Sequence, residues 1–417
     1  MQDLYLHPGE LLLPAPEVNP TAWACVACDQ YTSQPEYWKE VEALVDGQPS
    51  TLRLILPEIF LPEADVRVPE IHRAMRDYLA RGVLTPGVKN GFILTERNTS
   101  SGARVGLVAL MDLEGYDYHP GSRTPVRATE GTILERIPPR LAVRRGAALE
   151  LSHVLMLIDD PMMSVAEPLF ERRNTLTKLY DFPLMMNGGH VVGYAVTDPA
   201  DIAGVNAALE ALRSRLSSNL LYAVGDGNHS LATAKAYWEE IKPTLTPAEQ
   251  ADHPARFAMV ELENIHDDAL IFEPIHRVLF GYDGDTLLDE LARYAVEKGW
   301  SLTGGENTQE IVVAFEGKEV RLNIGGSSHP LAVGTLQRFL DDWMPAHPGT
   351  KLDYIHGDAA VRALAEGEKA VAFLLPALPK NQLFPMVEKL GSLPRKTFSM
   401  GEANEKRYYL EARRLER

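Results

Sequence analysis

LLYAVGDGNHSLATAKAYW (220–238) begins with an apolar run, turns on two glycines that flank Asp226, and continues with Leu231, Ala234, Trp238 and Ile241 at helical spacing. The pattern reads as strand, tight turn, helix. Such a turn leaves backbone N–H groups free at a helix N-terminus, where the helix dipole favours an anion. An acid, Asp226, and an imidazole, His229, stand on the same rim. Two readings are open from these residues alone: a cradle for a phosphate, or a structural turn whose Asp caps the helix.

Outward from this turn, further strands are expected at 52–60 (LRLILPEIF), 91–97 (GFILTER), 104–113 (RVGLVALMDL), 151–159 (LSHVLMLID) and 191–198 (VVGYAVTD). Helices are expected at 68–82, 201–216 and 229–242. Strands and helices mix without strict alternation, which gives an α+β or mixed α/β class. KPTLTPAEQADHPAR (242–256) is polar and proline-rich, and the pattern restarts after it. The expected organisation is an N-terminal α/β region over 1–245 and a second α/β domain over 250–417. At 417 residues the chain exceeds the length of one core.

Lys and Arg number 41 against 58 Asp and Glu, a net charge of −17, and no basic run reverses it locally. Nucleic acid is disfavoured as a partner. No stretch of about eighteen apolar residues and no basic-then-apolar leader appears, so a cytoplasmic protein without membrane contact is expected, as a monomer or homodimer. Cys25 and Cys28 form CVAC, the spacing of a redox pair or half a zinc site, but without further ligands nearby they read as two ordinary thiols.

Two more segments carry phosphate chemistry. In PVRATEGTILERIPPR (125–140), Arg127, Arg136 and Arg140 surround Glu130 and Thr132. Arginine suits bidentate phosphate contact, and a carboxylate among arginines is held ionised and ready to accept a proton; the bland alternative is a surface ion-pair loop. In SLPRKTFSMG (392–401), Lys396 and Thr397 could close over a ligand or form a solvated loop. Asp29, beside Tyr31, reads as a capped turn or a pocket lining, His276 and Arg277 as a structural pair or a ligand contact, and His266, Asp267 and Asp268 as surface residues, since neighbours cannot all face one ion.

These segments together resemble a widespread prokaryotic family with a central D-G-H-H-R-type motif, related to free serine kinases and to the ParB/sulfiredoxin fold. GDGNHS stands in place of the central motif. RATEGT (127–132), Arg140 and the pair Asp159–Asp160 follow the order of a second family segment of the form R-P-H-E-K-T, and LPRKT (393–397) and the EPIHR of 273–277 are similar to two more. The resemblance implies a ParB/sulfiredoxin-like core at about 115–245 with an N-terminal extension and a C-terminal α/β domain closing over the site.

It implies a small-molecule kinase that moves a phosphoryl group from ATP, ADP or pyrophosphate to serine or a similar alcohol, with Mg2+ as the expected cofactor. Glu130 carries over as base and Asp226 and His229 as catalytic residues, with Asp226 also on the metal. Gly225, Gly227, Asn228, Ser230, Arg127, Arg140, Lys396 and Thr397 would hold the donor, and Thr132, His276 and Arg277 the acceptor. The chain departs from the pattern at Thr129 and Asn228, where the family has His, and at Ser230, where it has Arg, with Arg127 or Lys235 expected to restore part of that charge. The rival readings are a non-catalytic nucleotide sensor with the same core, and a nucleotide or phosphate hydrolase.

Overall fold

Largely continuous buried runs on either side of a turn at residues 100–101 form the two longest strands, β1 (Leu84–Thr99) and β2 (Gly102–Asp112), paired antiparallel from Ile93↔Val108 to Thr99↔Gly102. The computed structural model describes residues 3–416 and divides the chain into two units. The larger takes the chain up to Ile271 together with Phe384–Gly391 and the tail from Met400; the smaller takes Phe272–Leu383 and Ser392–Ser399.

The larger unit is built on a mixed sheet. Beyond β1 and β2 it contains β3 (Val126–Ala128), β4 (Leu155–Ile158), β5 (His190–Val196), β6 (Tyr222–Asp226) and β7 (Phe257–Asn264). One path through it runs β3-β6-β4-β7-β2-β1, continuing to Gly9–Pro14, Ala412–Arg414 and Leu149–Leu151, while β5 pairs with β1. The helices α1 (Ala64–Ala80), α2 (Ile137–Arg144), α3 (Pro199–Arg215) and α4 (Asn228–Ile241) belong to the same unit. In α4 the spacing of Leu231, Ala234 and Trp238 buries one face against sheet residues that include Met156, Val224 and Val260. Full burial of a side chain such as Leu231 contributes about 1.5–3 kcal/mol. The smaller unit carries its own antiparallel sheet, in which β8 (Phe272–Phe280) pairs with Lys351–His356 on one side and Ala370–Leu374 on the other.

The class is mixed α/β, as the sequence indicated, and the expected strands at 91–97, 104–113, 191–198 and 220–224 fall on β1, β2, β5 and β6. The segment 52–60 is different. It forms short 3-10 turns at Thr51–Arg53 and Glu58–Glu63, because Ser50 accepts from Leu52 N and Pro57 and Pro62 fix φ and remove backbone donors that a strand needs. The proline-rich stretch 242–256 is not the boundary. It folds into capped turns, with Thr246 and Glu249 forming a capping box, and leads directly into β7, which pairs between β2 and β4. The change of unit falls at Ile271–Phe272, and the tail from Met400 returns to the larger unit.

One relation in the sheet positions the candidate site. β3 and β6 run parallel, with Tyr222 opposite Val126 and Val224 opposite Ala128. Their C-terminal ends therefore lie side by side, and Thr129–Glu130 emerges next to the GDGNHS turn, the end of a sheet where parallel α/β folds place ligands.

Candidate functional site

Gly227 has φ +81°, the left-handed conformation, and a Cβ there would sit 3.0 Å from the Val154 Cα. Glycine is what lets β6 turn into α4. At Gly225 a Cβ would lie 2.4 Å from the Met400 sulfur. The helix begins without a side-chain cap and without an acidic residue in its first turn, which leaves N–H groups of that turn without a side-chain acceptor from the cap position. Asp226 Oδ1 accepts from Gly227 N at 3.0 Å, and its Oδ2 faces Lys406 Nζ at 3.4 Å. Lys406 is 6% exposed, and it places a positive charge beside the turn.

The 129–133 segment is fastened to the first turn of α4 at two points. Thr129 N donates to Asn228 Oδ1 at 3.1 Å while Asn228 Nδ2 donates to Thr129 Oγ1 at 3.3 Å, and Thr129 Oγ1 in turn donates to Val224 O at 2.6 Å. Ile133 N donates to His229 Nε2 at 3.3 Å. Between these fastenings stand Glu130, half-buried, and Thr132, whose hydroxyl oxygen is shielded from solvent without a hydrogen-bond partner among the described residues.

Beneath Ser230 lies a buried imidazole. His153 Nε2 is 3.3 Å from Ser230 Oγ and 3.5 Å from Asp29 Oδ2, and its Nδ1 is 2.6 Å from the Tyr409 hydroxyl. Tyr409 in turn donates to Cys28 Sγ at 3.1 Å. Burial alone would lower the His153 pKa, but the Asp29 charge and hydrogen bond, with Asp226 behind them, raise it above the ordinary 6.5. Asp29 is held well below the usual carboxylate range by His153 in spite of its burial. The partners are consistent with an imidazolium: Nδ1–H donates to the tyrosine oxygen, whose own proton goes to the thiol. This is not a Ser-His-Asp triad, because the serine and the aspartate share one ring nitrogen. Burial pushes the thiols of Cys25 and Cys28 up to about 12, which keeps both protonated and unreactive.

The turn thus gathers Gly225, Asp226, Gly227, Asn228, His229 and Ser230 with Glu130 and Thr132. The other expected residues are engaged by other partners. Arg127 donates to Thr124 O and Asn219 Oδ1, at the opposite end of β3 and β6. Arg140 donates to Arg136 O and pairs with Glu58. Lys235 donates to Leu113 O and pairs with Glu239, so it supplies no charge to the turn. His276, Arg277, Lys396 and Thr397 belong to the smaller unit. There the His276 ring is bonded through both nitrogens, to Asp358 and to Leu375 N, and Arg277 holds the carbonyls of Arg395 and Lys396, an arrangement that orders the chain. Asp267 is buried, accepting from Val105 N, rather than a surface residue, and His266 pairs with Asp159 at 2.7 Å.

Sequence reasoning missed His153, Lys406 and Tyr409. Their only signal is composition, a polar residue inside the apolar run LSHVLMLI and a cation before tyrosines in NEKRYY, because the tail reaches the turn from the far end of the chain. No helix among the described residues is long and apolar enough to cross a membrane.

A family model described as a protein of unknown function (DUF1015) matches residues 8–343. Among solved structures, a free serine kinase in complex with AMP aligns over 73% of this chain and 90% of its own at 12% identity, with a TM-score of 0.39. SbnI with a C-terminal truncation from Staphylococcus aureus aligns over 70% and 82% at 10% identity and a TM-score of 0.37, and a conserved hypothetical protein from Pyrococcus furiosus over 73% and 90% at 12% and 0.36. No curated protein matches.

Proposed function

The chain belongs to the DUF1015 family, and we propose that it is a small-molecule phosphotransferase of the free-serine-kinase type, moving a phosphoryl group from ATP, ADP or pyrophosphate to the hydroxyl of serine or a similar alcohol. The observation that carries this reading is the double fastening of the Glu130 segment to the uncapped N-terminus of α4. It brings an anion-binding helix end and a carboxylate to one edge of the sheet. Phosphoryl transfer requires positioning, charge neutralisation and one group to take the hydroxyl proton.

In this reading the N–H groups at Asn228–Ser230 and the ammonium of Lys406 hold donor phosphates, His229 borders them, and Glu130 accepts the acceptor's proton. Asp226 offers a single carboxylate, which suits a magnesium ion held mainly by phosphate oxygens. Such an ion would neutralise donor charge. Lys406 and the His153 imidazolium below Ser230 supply the positive charge that the related pattern places at residue 230 as arginine.

A nucleotide sensor without turnover is the second reading, favoured by the same departures: Asn228 and Thr129 are engaged with each other, so neither is free to act on a ligand as a histidine would. Incubation of the protein with magnesium, serine and each donor in turn, read by phosphorus NMR, separates the two. A phosphomonoester supports the kinase; nucleotide binding without product supports the sensor.

A further inference from the structure

We infer that Arg407 is a positioning residue of the phosphate turn: it ties the segment carrying Lys406 to the backbone beside His153 and so sets where the Lys406 ammonium stands. The inference rests on the reading of that turn as a phosphate site and adds to it the group that holds its cation in place.

The tail that returns to the larger unit reads Lys406, Arg407, Tyr408, Tyr409, and each side chain has its own destination. Lys406 faces Asp226, Tyr408 donates to Met185 O at 3.0 Å, and the Tyr409 hydroxyl meets His153 at 2.6 Å. Arg407 is buried and uses all three of its nitrogens. Nε donates to Ser152 O at 3.1 Å, the carbonyl just before His153, Nη1 donates to Glu261 on β7, and Nη2 donates to Glu411 Oε2 at 2.5 Å. The two carboxylates are themselves fixed, since Glu261 accepts from Thr95 Oγ1 on β1 and Glu411 from the Tyr180 hydroxyl, each at 2.5 Å.

Burying such ion pairs gives little net stability over apolar packing of the same volume, so what this guanidinium supplies is geometry. The segment needs it, because its own sequence leaves the register open to slippage. A shift by one residue in either direction would still bring a cation to one of the two cation positions and a tyrosine to one of the two tyrosine positions. Lysine is a point charge on a flexible stem and cannot replace three donors fixed in one plane. Arg407 therefore fits only its own position, and its neighbour Lys406 is brought to Asp226.

The test is a double-mutant cycle read by calorimetric titration of pyrophosphate, with magnesium, into the full chain. Arg407→Lys keeps the charge and removes the fork. It should weaken pyrophosphate by about tenfold or more in the wild-type background and by less than about threefold in a Lys406→Gln background, because a residue that acts through Lys406 then has nothing left to position. A purely structural Arg407 would lower affinity by the same factor in both. Should circular dichroism show Arg407→Lys unfolded, Glu411→Gln, which removes one charged acceptor, takes its place, with a loss of about threefold or more confined to the background that has Lys406. Unaltered affinity in the folded variant, or equal losses with and without Lys406, would overturn the role of Arg407 alone. Absence of pyrophosphate binding to wild type would overturn the phosphate reading of the turn together with it.

Discussion

Asn228 and Thr129 hold each other through two reciprocal hydrogen bonds, Thr129 N to Asn228 Oδ1 at 3.1 Å and Asn228 Nδ2 to Thr129 Oγ1 at 3.3 Å. Both are positions where the related pattern has histidine, so two departures that look independent in the sequence form one interaction in the fold. A double-mutant cycle of Asn228→Ala and Thr129→Val, followed by chemical denaturation, should give a coupling of about 0.5–3 kcal/mol. Additive losses would show that the pair does not fasten the segment.

Gly227 is held at φ +81° with the Val154 backbone 3.0 Å from any added Cβ. Gly227→Ala should cost about 1–3 kcal/mol of stability and weaken pyrophosphate binding, since the strand-to-helix turn must shift to admit the methyl group. An alanine variant with wild-type melting temperature and affinity would remove the need for this turn.

The raised pKa of His153 gives a pH-dependent stability with a defined sign. A group whose folded-state pKa lies above its unfolded value stabilises fully below the unfolded pKa, here 6.5, and loses that contribution as pH rises through the folded value. The groups facing it are Asp29, Asp226 and Arg140, with Tyr409 and Ser230 as neutral partners. Asp29, held low, keeps its own contribution in full above 3.8 and loses it progressively as the pH falls below that value. The melting-temperature gap between wild type and His153→Gln should therefore be widest between about pH 5 and 6.5 and narrow as the pH rises further. A gap that widens with pH would mean that the imidazole is neutral in the folded protein.

Lys406 is the cation at the turn, 3.4 Å from Asp226. Lys406→Gln should weaken ADP or pyrophosphate binding by about tenfold or more, the scale of a charged hydrogen bond. Calorimetry that finds unchanged affinity would assign Lys406 to the internal pairing of Asp226 alone.

What the sequence disclosed follows from which forces are local. The period of Leu231, Ala234 and Trp238 and the glycines before them are local signals, and they located both the turn and its helix. Glu130 reached the same edge through the order of motifs, and the parallel pairing of β3 with β6 explains why that order matters. LRLILPEIF misled because its apolar content suits a strand while Pro57 within it and Pro62 just beyond remove the donors a strand needs. Arg127 misled because an arginine near a motif can face either end of its strand, and here it turns towards Asn219. His153, Lys406 and Tyr409 were illegible because they come together only through the return of the tail to the first unit.

Phosphorus NMR of wild type and Glu130→Gln with magnesium, serine and saturating ATP, ADP or pyrophosphate decides whether this end of the sheet performs phosphoryl transfer with Glu130 as base. Wild type should give a phosphomonoester with at least one donor, and the variant a rate about 10²–10⁴-fold lower with donor affinity little changed, because a general base acts on the proton and not on the phosphate. No phosphomonoester from any donor, or turnover in Glu130→Gln within about threefold of wild type, would contradict it.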